Sequence, residues 1–356
     1  MKTILHIVGT RPQFIKLAVL HNQLAGDSSF SQKIIHTGQH FSYNMNEIFF
    51  DQLNLPVPDI NFNLHQSSSN LFIGEAADML QDYFFKNDDS VVFVYGDTNT
   101  TVAAAIAAKR CKLPLIHFEA GVRTHDLSMP EEINRLITDR LATVNYCCTA
   151  KNFETMKAEG YDSIISSQLI LTGDLMLDAF LKIKGTIKKV IDEKEYIACT
   201  IHRHDNLNNK ENLKAIINAL NKINDFVRVA MPVHPHTEKR MQEYNIVPSF
   251  KVLAPLGYPD MKTFLSNSAF VITDSGGTSR EAYFSQKKSL IVMEKPFWPE
   301  IIETNCALNS IANEDSILEG FHQLSFLNAD FTTQIFGDGH AAETIYQHLS
   351  ANIDNL

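Results

Sequence analysis

The chain has 356 residues, long enough for two ordinary domains, and 44% of them are hydrophobic, enough for a sizeable core. The formal net charge is −10, which excludes binding to nucleic acid or to an anionic membrane through a broad basic face. An anionic ligand must instead be held by a local cluster of basic side chains and backbone N–H groups.

The N-terminal apolar run, ILHIV, stops at a turn and is too short for a signal-peptide core or a membrane span. Five cysteines, Cys111, Cys147, Cys148, Cys199 and Cys306, form no CxxC pair and read as buried free thiols. A soluble cytoplasmic protein is expected.

Along the chain, short apolar runs alternate with helical patterns. ILHIV, KIIHTG, SVVFVYG, LPLIHF and NYCC read as strands. Between them PQFIKLAVLHNQL, LFIGEAADMLQDYFF, TTVAAAIAAKR and EEINRLITDRLA read as helices. Strand runs without polar alternation predict a parallel sheet covered on both faces, and the β-α alternation predicts a doubly wound α/β domain. LTGDLMLDAFLKIKGTIKKVIDEKE reads as a crossover ending in a solvated, charged stretch. The alternation then restarts with YIACTIH, VRVAMPVH, FKVLAP, AFVITDS and KSLIVME. Two Rossmann-like domains are therefore expected, 1–172 and 173–339. The last helix, within 340–356, is compatible with either and is grouped with the first.

In open α/β sheets, ligands bind beyond the carboxyl ends of the strands, so the polar residues after each strand are expected to line one interdomain cleft. In GTRPQFIK, Gly9 permits a sharp turn, Pro12 suits the first helical turn, and Arg11 and Lys16 stand near a helix N-terminus, a natural anion site. The plainer reading is a capped helix with solvent-facing charges. TGQH puts Gln39 after the second strand. Asp97, Glu119 and Glu131 are three carboxylates at the mouth of one domain, with Arg135 close behind in EEINR. Converging carboxylates raise one another's pKa, which suits acid–base work. Against that, Asp97 could cap the following helix, and any of the three could serve in a salt bridge.

In the second half, DSGGTSREA places Ser275, Gly276 and Gly277 at a helix start, where glycines let a phosphate reach backbone N–H groups. Glu281, a turn later, is placed to accept from ribose hydroxyls. His202 and Arg203 follow YIACTI. His234 and His236 are closely spaced in VHPHT, but no third-ligand pattern accompanies them, so no metal site is expected. No G-x-S-x-G elbow or catalytic cysteine pattern is present.

These motifs, in this order, resemble the non-hydrolysing UDP-N-acetylglucosamine 2-epimerases. The resemblance runs through GTRPQFIK, HTGQH, YGDTNTT, HFEAGVRT, MPEEINR, TIHRHDN, PVHP, PLGY, TDSGGTSREA and DGHAAE. It implies the two-domain glycosyltransferase-B (GT-B) architecture, a homodimer, a UDP-sugar substrate, no cofactor and a place in cell-surface polysaccharide synthesis. It also implies inversion at carbon-2 by anti elimination of UDP, giving 2-acetamidoglucal, and re-addition. By motif position, Asp97, Glu119, Glu131 and His202 match the acid–base residues of that chemistry. Arg11, Lys16, Ser275, Gly276 and Glu281 match the UDP and sugar contacts. Gln39, Arg135, Arg203, His234 and Gly277, in the same motifs, join them as candidate substrate contacts.

The sequence departs from the commonest pattern in three places. KPFWPE has Trp298 where an E-R-P-E arginine is usual, and GGTSREA has Arg280 beside Glu281. The GTRPQFIK form and Trp298 are similar to the branch that includes epimerases of diacetamido-glucuronic acid nucleotides, where Arg280 or Arg203 would meet a sugar carboxylate. The loop FSYNMNE differs from the form tied to allosteric activation by UDP-N-acetylglucosamine. The expected activity is epimerisation of UDP-N-acetylglucosamine. The alternatives are a UDP-2,3-diacetamido-2,3-dideoxy-glucuronate substrate and, further off, a glycosyltransferase.

Overall fold

The computed structural model describes residues 2–39, 53–65, 68–185, 190–191 and 195–356. The FSYNMNE loop and the His40 that ends TGQH lie outside them. The chain divides into two compact units, Met1–Lys182 with Ile335–Leu356, and Ile183–Gln334.

The first unit is built on β1 (Thr3–Val8), β2 (Ser31–His36), β3 (Ile60–Asn61), β4 (Ser90–Tyr95), β5 (Leu115–Ala120), β6 (Val144–Cys147) and β7 (Gln168–Leu171). Among the described residues they form a parallel sheet in the order β3-β2-β1-β4-β5-β6-β7. The second is built on β8 (Ile197–Thr200), β9 (Val229–Pro232), β10 (Lys251–Leu253), β11 (Phe270–Thr273), β12 (Ser289–Val292) and β13 (Ala307–Ser310). Their order is β10-β9-β8-β11-β12-β13, again parallel. In both sheets the chain works outward from a first strand and then crosses to its other side. The strand order therefore reverses between β1 and β4, and between β8 and β11, the points at which such sheets bind ligands.

Local sequence explains the layering. SVVFVY of β4 is buried throughout, as a central parallel strand covered on both faces requires. The helix Asn99–Arg110 presents Ala103, Ala104, Ala105, Ala107 and Ala108 to the interior, all fully buried. Ala103 packs with Leu64, Phe72 and Ala76, and the other four suit close packing within the apolar cluster that also holds Leu5, Val92, Val94 and Leu115.

The helix Ala341–Asn352 belongs to the first unit and packs on Arg11–Leu24 and Leu175–Lys182. Asp178 docks it: its carboxylate accepts from the backbone N–H of Ala341 at 3.1 Å and of Ala342 at 2.8 Å, at the positive end of the helix. Tyr346 donates to Asp27 at 3.0 Å, and the Tyr146 hydroxyl lies 2.8 Å from His348 Nδ1. Replacing Asp178 by Ala leaves two buried donors without their acceptor. The expected loss is about 1–3 kcal/mol of unfolding free energy, measured by urea titration. A loss below about 0.5 kcal/mol, the range of ordinary surface substitutions, would show that this docking contributes little.

Candidate active site

The carboxyl ends of β1 and β4 are held together by one buried amide. Gln13 Oε1 accepts from the N–H of Gly9 at 2.8 Å and of Thr10 at 3.0 Å. Its Nε2 donates to the Tyr95 carbonyl at 2.8 Å and lies 3.0 Å from the hydroxyls of Thr98 and Thr101. Gly9 has to be glycine, because a Cβ there would run into the hydroxyls of Thr37 and Thr100. Gln39 joins the same knot, accepting from Thr100 N–H at 3.0 Å and Thr100 Oγ1 at 2.8 Å. Arg11 opens the helix Arg11–Leu24 and is half-buried.

Glu119 stands at the end of β5 in an unusual backbone state. Phe118 pairs with Tyr146 and Ala120 with Cys147, so Glu119 is an extra residue bulged from the ladder. Its φ is +74°, a left-handed conformation that costs a side-chain-bearing residue of order 1–3 kcal/mol. The bulge re-aims its carboxylate onto the Lys16 ammonium. Both groups are buried, with Lys16 3% and Glu119 8% exposed.

Arg135 holds a second set of charges. Its guanidinium donates to Asp97 Oδ2 and, at 2.7 Å, to Glu132 Oε2. Glu132 also accepts from Thr124 N–H, Thr124 Oγ1 and His125 N–H, each at 3.0 Å, so its carboxylate is committed to the loop after β5. Asn134 donates to the Asp97 carbonyl at 3.0 Å. Asp97 does not cap the following helix; Thr98 does, accepting from Thr101 N–H at 3.3 Å. Glu131 is half-buried in the first turn of Pro130–Leu141 and makes no ion pair among the described residues. Mutual repulsion of carboxylates, expected from the sequence, is thus replaced at Asp97 and Glu119 by pairing with cations. Glu119, Cys148 and Asp174 form the one group of three possible metal-ligand side chains among the described residues. The Lys16 ammonium already supplies the positive charge there.

In the second unit, Asp274 follows β11 and ties it to the loop after β8. Its fully buried carboxylate accepts from His202 N–H at 3.0 Å, Arg203 N–H at 3.0 Å and Asn206 Nδ2 at 3.0 Å. That backbone anchorage leaves the His202 side chain exposed. The Arg203 guanidinium lies 5.1 Å from the Phe297 ring centre and 3.3 Å from Asp205. Ser275 caps the helix Gly276–Phe284 through Thr278 N–H at 3.2 Å. A Cβ on Gly276 would come within 2.6 Å of the Phe297 ring, whereas one on Gly277 would meet only the Ser275 hydroxyl, at an ordinary 3.7 Å. Glu281 is buried on the same helix. Beside it, Arg280 is 4% exposed, its guanidinium 4.6 Å from the Trp298 ring centre. Of the two arginines considered for a sugar carboxylate, Arg203 is the more accessible. His234 caps Pro235–Glu243 through His236 N–H at 3.3 Å. Partial burial, with the nearby His236 and His202, holds its pKa below the usual imidazole value.

The sequence profile of the UDP-N-acetylglucosamine 2-epimerases matches residues 22–350. The chain belongs to that family. A UDP-2,3-diacetamido-2,3-dideoxy-D-glucuronate 2-epimerase of Pseudomonas aeruginosa is 34% identical, the match covering 98% of this chain and 99% of the relative. A UDP-N-acetylglucosamine 2-epimerase of Methanocaldococcus jannaschii is 30% identical over 97% of this chain and 98% of the relative. Among solved structures, the M. jannaschii UDP-GlcNAc 2-epimerase in complex with UDP-GlcNAc and UDP superposes with a TM-score of 0.90. It is 29% identical, covering 99% of this chain and all of that one. The Neisseria meningitidis enzyme bound to UDP-GlcNAc superposes with a TM-score of 0.86 at 26% identity, covering 98% of this chain and 100% of that one. The paired α/β units are accordingly those of a GT-B epimerase, and the protein is an isomerase of this family.

Three supports of this epimerase's candidate site escape sequence reasoning. Gln13 lies inside GTRPQFIK, Glu132 beside Glu131, and Asp274 at the head of DSGG. Glu132 had a signal, the i,i+3 spacing to Arg135 on one helical face. Gln13 had a weaker one, as the N3 residue of a capping box with Thr10. Asp274 had none, because its partners, two backbone N–H groups and the Asn206 amide, belong to a distant loop. Removing the ammonium from the Lys16–Glu119 pair leaves a buried charge. Lys16→Met is expected to cost about 3–5 kcal/mol of stability, read by denaturant unfolding. A loss under about 1 kcal/mol, the scale of a solvent-exposed pair, would show that water already serves Glu119.

Proposed function

We propose that this epimerase interconverts UDP-N-acetylglucosamine and UDP-N-acetylmannosamine by anti elimination of UDP and re-addition. The observation that carries this reading is the buried Glu119 carboxylate, presented by a bulge at a strand end and paired with Lys16. The carbon-2 hydrogen of the sugar is not next to a carbonyl, so simple enolisation cannot remove it. Breaking the carbon-1–oxygen bond to UDP leaves positive charge beside that hydrogen, and a base can then take the proton to give 2-acetamidoglucal. A proton returned to the opposite face of carbon-2 and re-addition of UDP at carbon-1 complete the inversion. Two opposed proton transfers need separate groups, a role for which Asp97, Glu119, Glu131 and His202 are proposed.

In this scheme, Arg11, Ser275, Gly276 and Gly277 hold the diphosphate and Glu281 the ribose. Lys16, Gln39, Arg135, Arg203 and His234 contact the rest of the substrate. No step calls for a metal or a redox cofactor. We read the enzyme as a cytoplasmic homodimer serving cell-surface polysaccharide synthesis. Leu127, Ile133 and Ile137, exposed at 66%, 43% and 37% in one short stretch, support the dimer as apolar surface for a second copy. No helix among the described residues is long and apolar enough to cross a membrane.

A second reading changes only the sugar. The P. aeruginosa relative is named for a diacetamido-glucuronate nucleotide, and Arg203, stacked on Phe297, is a cation such a carboxylate could meet. Each UDP-sugar incubated alone in heavy water, followed by proton NMR, decides between them. The product of the true substrate is expected to carry deuterium at carbon-2, with some free UDP and glycal released. Full retention of the original hydrogen would overturn the elimination. A requirement for an acceptor would point to glycosyl transfer. In the same assay Glu119→Gln is expected to lower turnover at least about a hundredfold while UDP binding persists.

A further inference from the structure

Two residues before Glu119, the fully buried His117 joins two loops through its ring. Nδ1 lies 2.7 Å from Asp139 Oδ1, and Nε2 lies 2.7 Å from the carbonyl oxygen of Gly96. Gly96 is the residue before Asp97, and its own N–H donates to the Phe118 carbonyl at 2.9 Å. Asp139, on the helix that carries Glu131 and Arg135, also grips the chain beyond Glu119. Its Oδ2 accepts from Arg123 Nη1 at 2.6 Å and from Gly121 N–H at 3.3 Å. One carboxylate thus holds residues 117, 121 and 123, on both sides of the bulge. The pinned backbone takes left-handed φ at Gly96 (+63°), Glu119 (+74°) and Gly121 (+80°), a conformation glycine adopts freely and Glu119 only under strain.

The proton inventory of this cluster is constrained. A backbone carbonyl can only accept. The charged groups facing the ring are Asp139 and Arg123, with Glu159 bonded to the outer side of Arg123 at 2.8 Å. Burial pushes the Asp139 carboxyl up, but His117 and Arg123 outweigh it and hold it below the usual carboxylate value. The ring is thus held at both nitrogens, by Asp139 on one side and the Gly96 carbonyl on the other.

We propose that His117 is a positioning residue of the epimerisation, its ring a two-sided bridge that locks the backbone carrying Asp97 and Glu119. It acts through those two carboxylates, and the inference rests on the acid–base reading of them given above. Its value to the reaction is geometric: displacing a reacting group by about 1 Å can cost on the order of a hundredfold in rate.

Proton–nitrogen NMR of the whole protein with 15N-labelled histidine tests this, with the ring assigned through its own backbone. The His117 ring N–H is expected to exchange slowly with water, as a ring held on both sides in the interior requires. Kinetically, His117→Gln keeps a hydrogen-bonding arm and loses the rigid two-sided bridge. It is expected to lower kcat about ten- to a hundredfold, with KM and UDP affinity nearly unchanged. A His117 ring N–H in fast exchange with water overturns the proposal, and so does a wild-type kcat in the variant or a loss falling on KM. The spectrum needs no variant, so the inference stays testable if the substitution prevents folding. Absence of turnover by the wild type on every UDP-sugar would strike the reading of the site itself, whereas a fast-exchanging His117 ring would strike this inference alone.

Discussion

A buried ammonium–carboxylate pair is the constraint around which the first unit is arranged. Taking both Lys16 and Glu119 out of water is costly, and their attraction offsets that cost only if the geometry is held closely. Lys16 comes from the helix after β1 and Glu119 from the end of β5, so two elements far apart in sequence must be fixed relative to each other. The bulge in β5, the Gln13 knot between the first and fourth strands and the tightly packed alanine face of Asn99–Arg110 all serve that end. The left-handed backbone at Glu119 is the local cost of the arrangement, carried at a residue read here as functional.

The two units solve the same problem with different side chains. In each sheet the neighbouring first and fourth strands send their chains in opposite directions, which exposes backbone N–H and C=O groups where ligands bind. In the first unit a neutral amide, Gln13, reaches from the first-strand side and offers both donor and acceptor. In the second a carboxylate, Asp274, reaches from the fourth-strand side and accepts only. The difference suits the groups to be satisfied. Gln13 meets N–H groups, a carbonyl and hydroxyls, whereas Asp274 meets N–H groups alone.

The departures from the commonest family pattern also have a physical form. Phe297 packs where a Cβ on Gly276 would sit, and Trp298 forms a face for the Arg280 guanidinium. The two unusual positions, far apart in sequence, are therefore one contact. Stacking on an indole gives a buried guanidinium part of its electrostatic compensation. Arg203 on Phe297 repeats the motif nearer the surface.

The sequence by itself determined the architecture and the neighbourhood of the site. Uniformly apolar strands and amphipathic helices leave little choice but a covered parallel sheet, and residues after such strands must gather at its carboxyl edge. Asp97, Glu119, His202 and Ser275 are legible for that reason. Only the tertiary structure decided who pairs with whom. Asp97 and Glu119 might have faced each other or capped helices; they face Arg135 and Lys16. His117, Asp139 and Asp274 read as unremarkable polar residues, yet they hold the loops of the candidate site in place. Nothing local announces such roles, because a buried polar group is defined by partners that the fold brings from distant segments. Backbone donors and acceptors, which make up most of those partners here, carry no sequence signature at all.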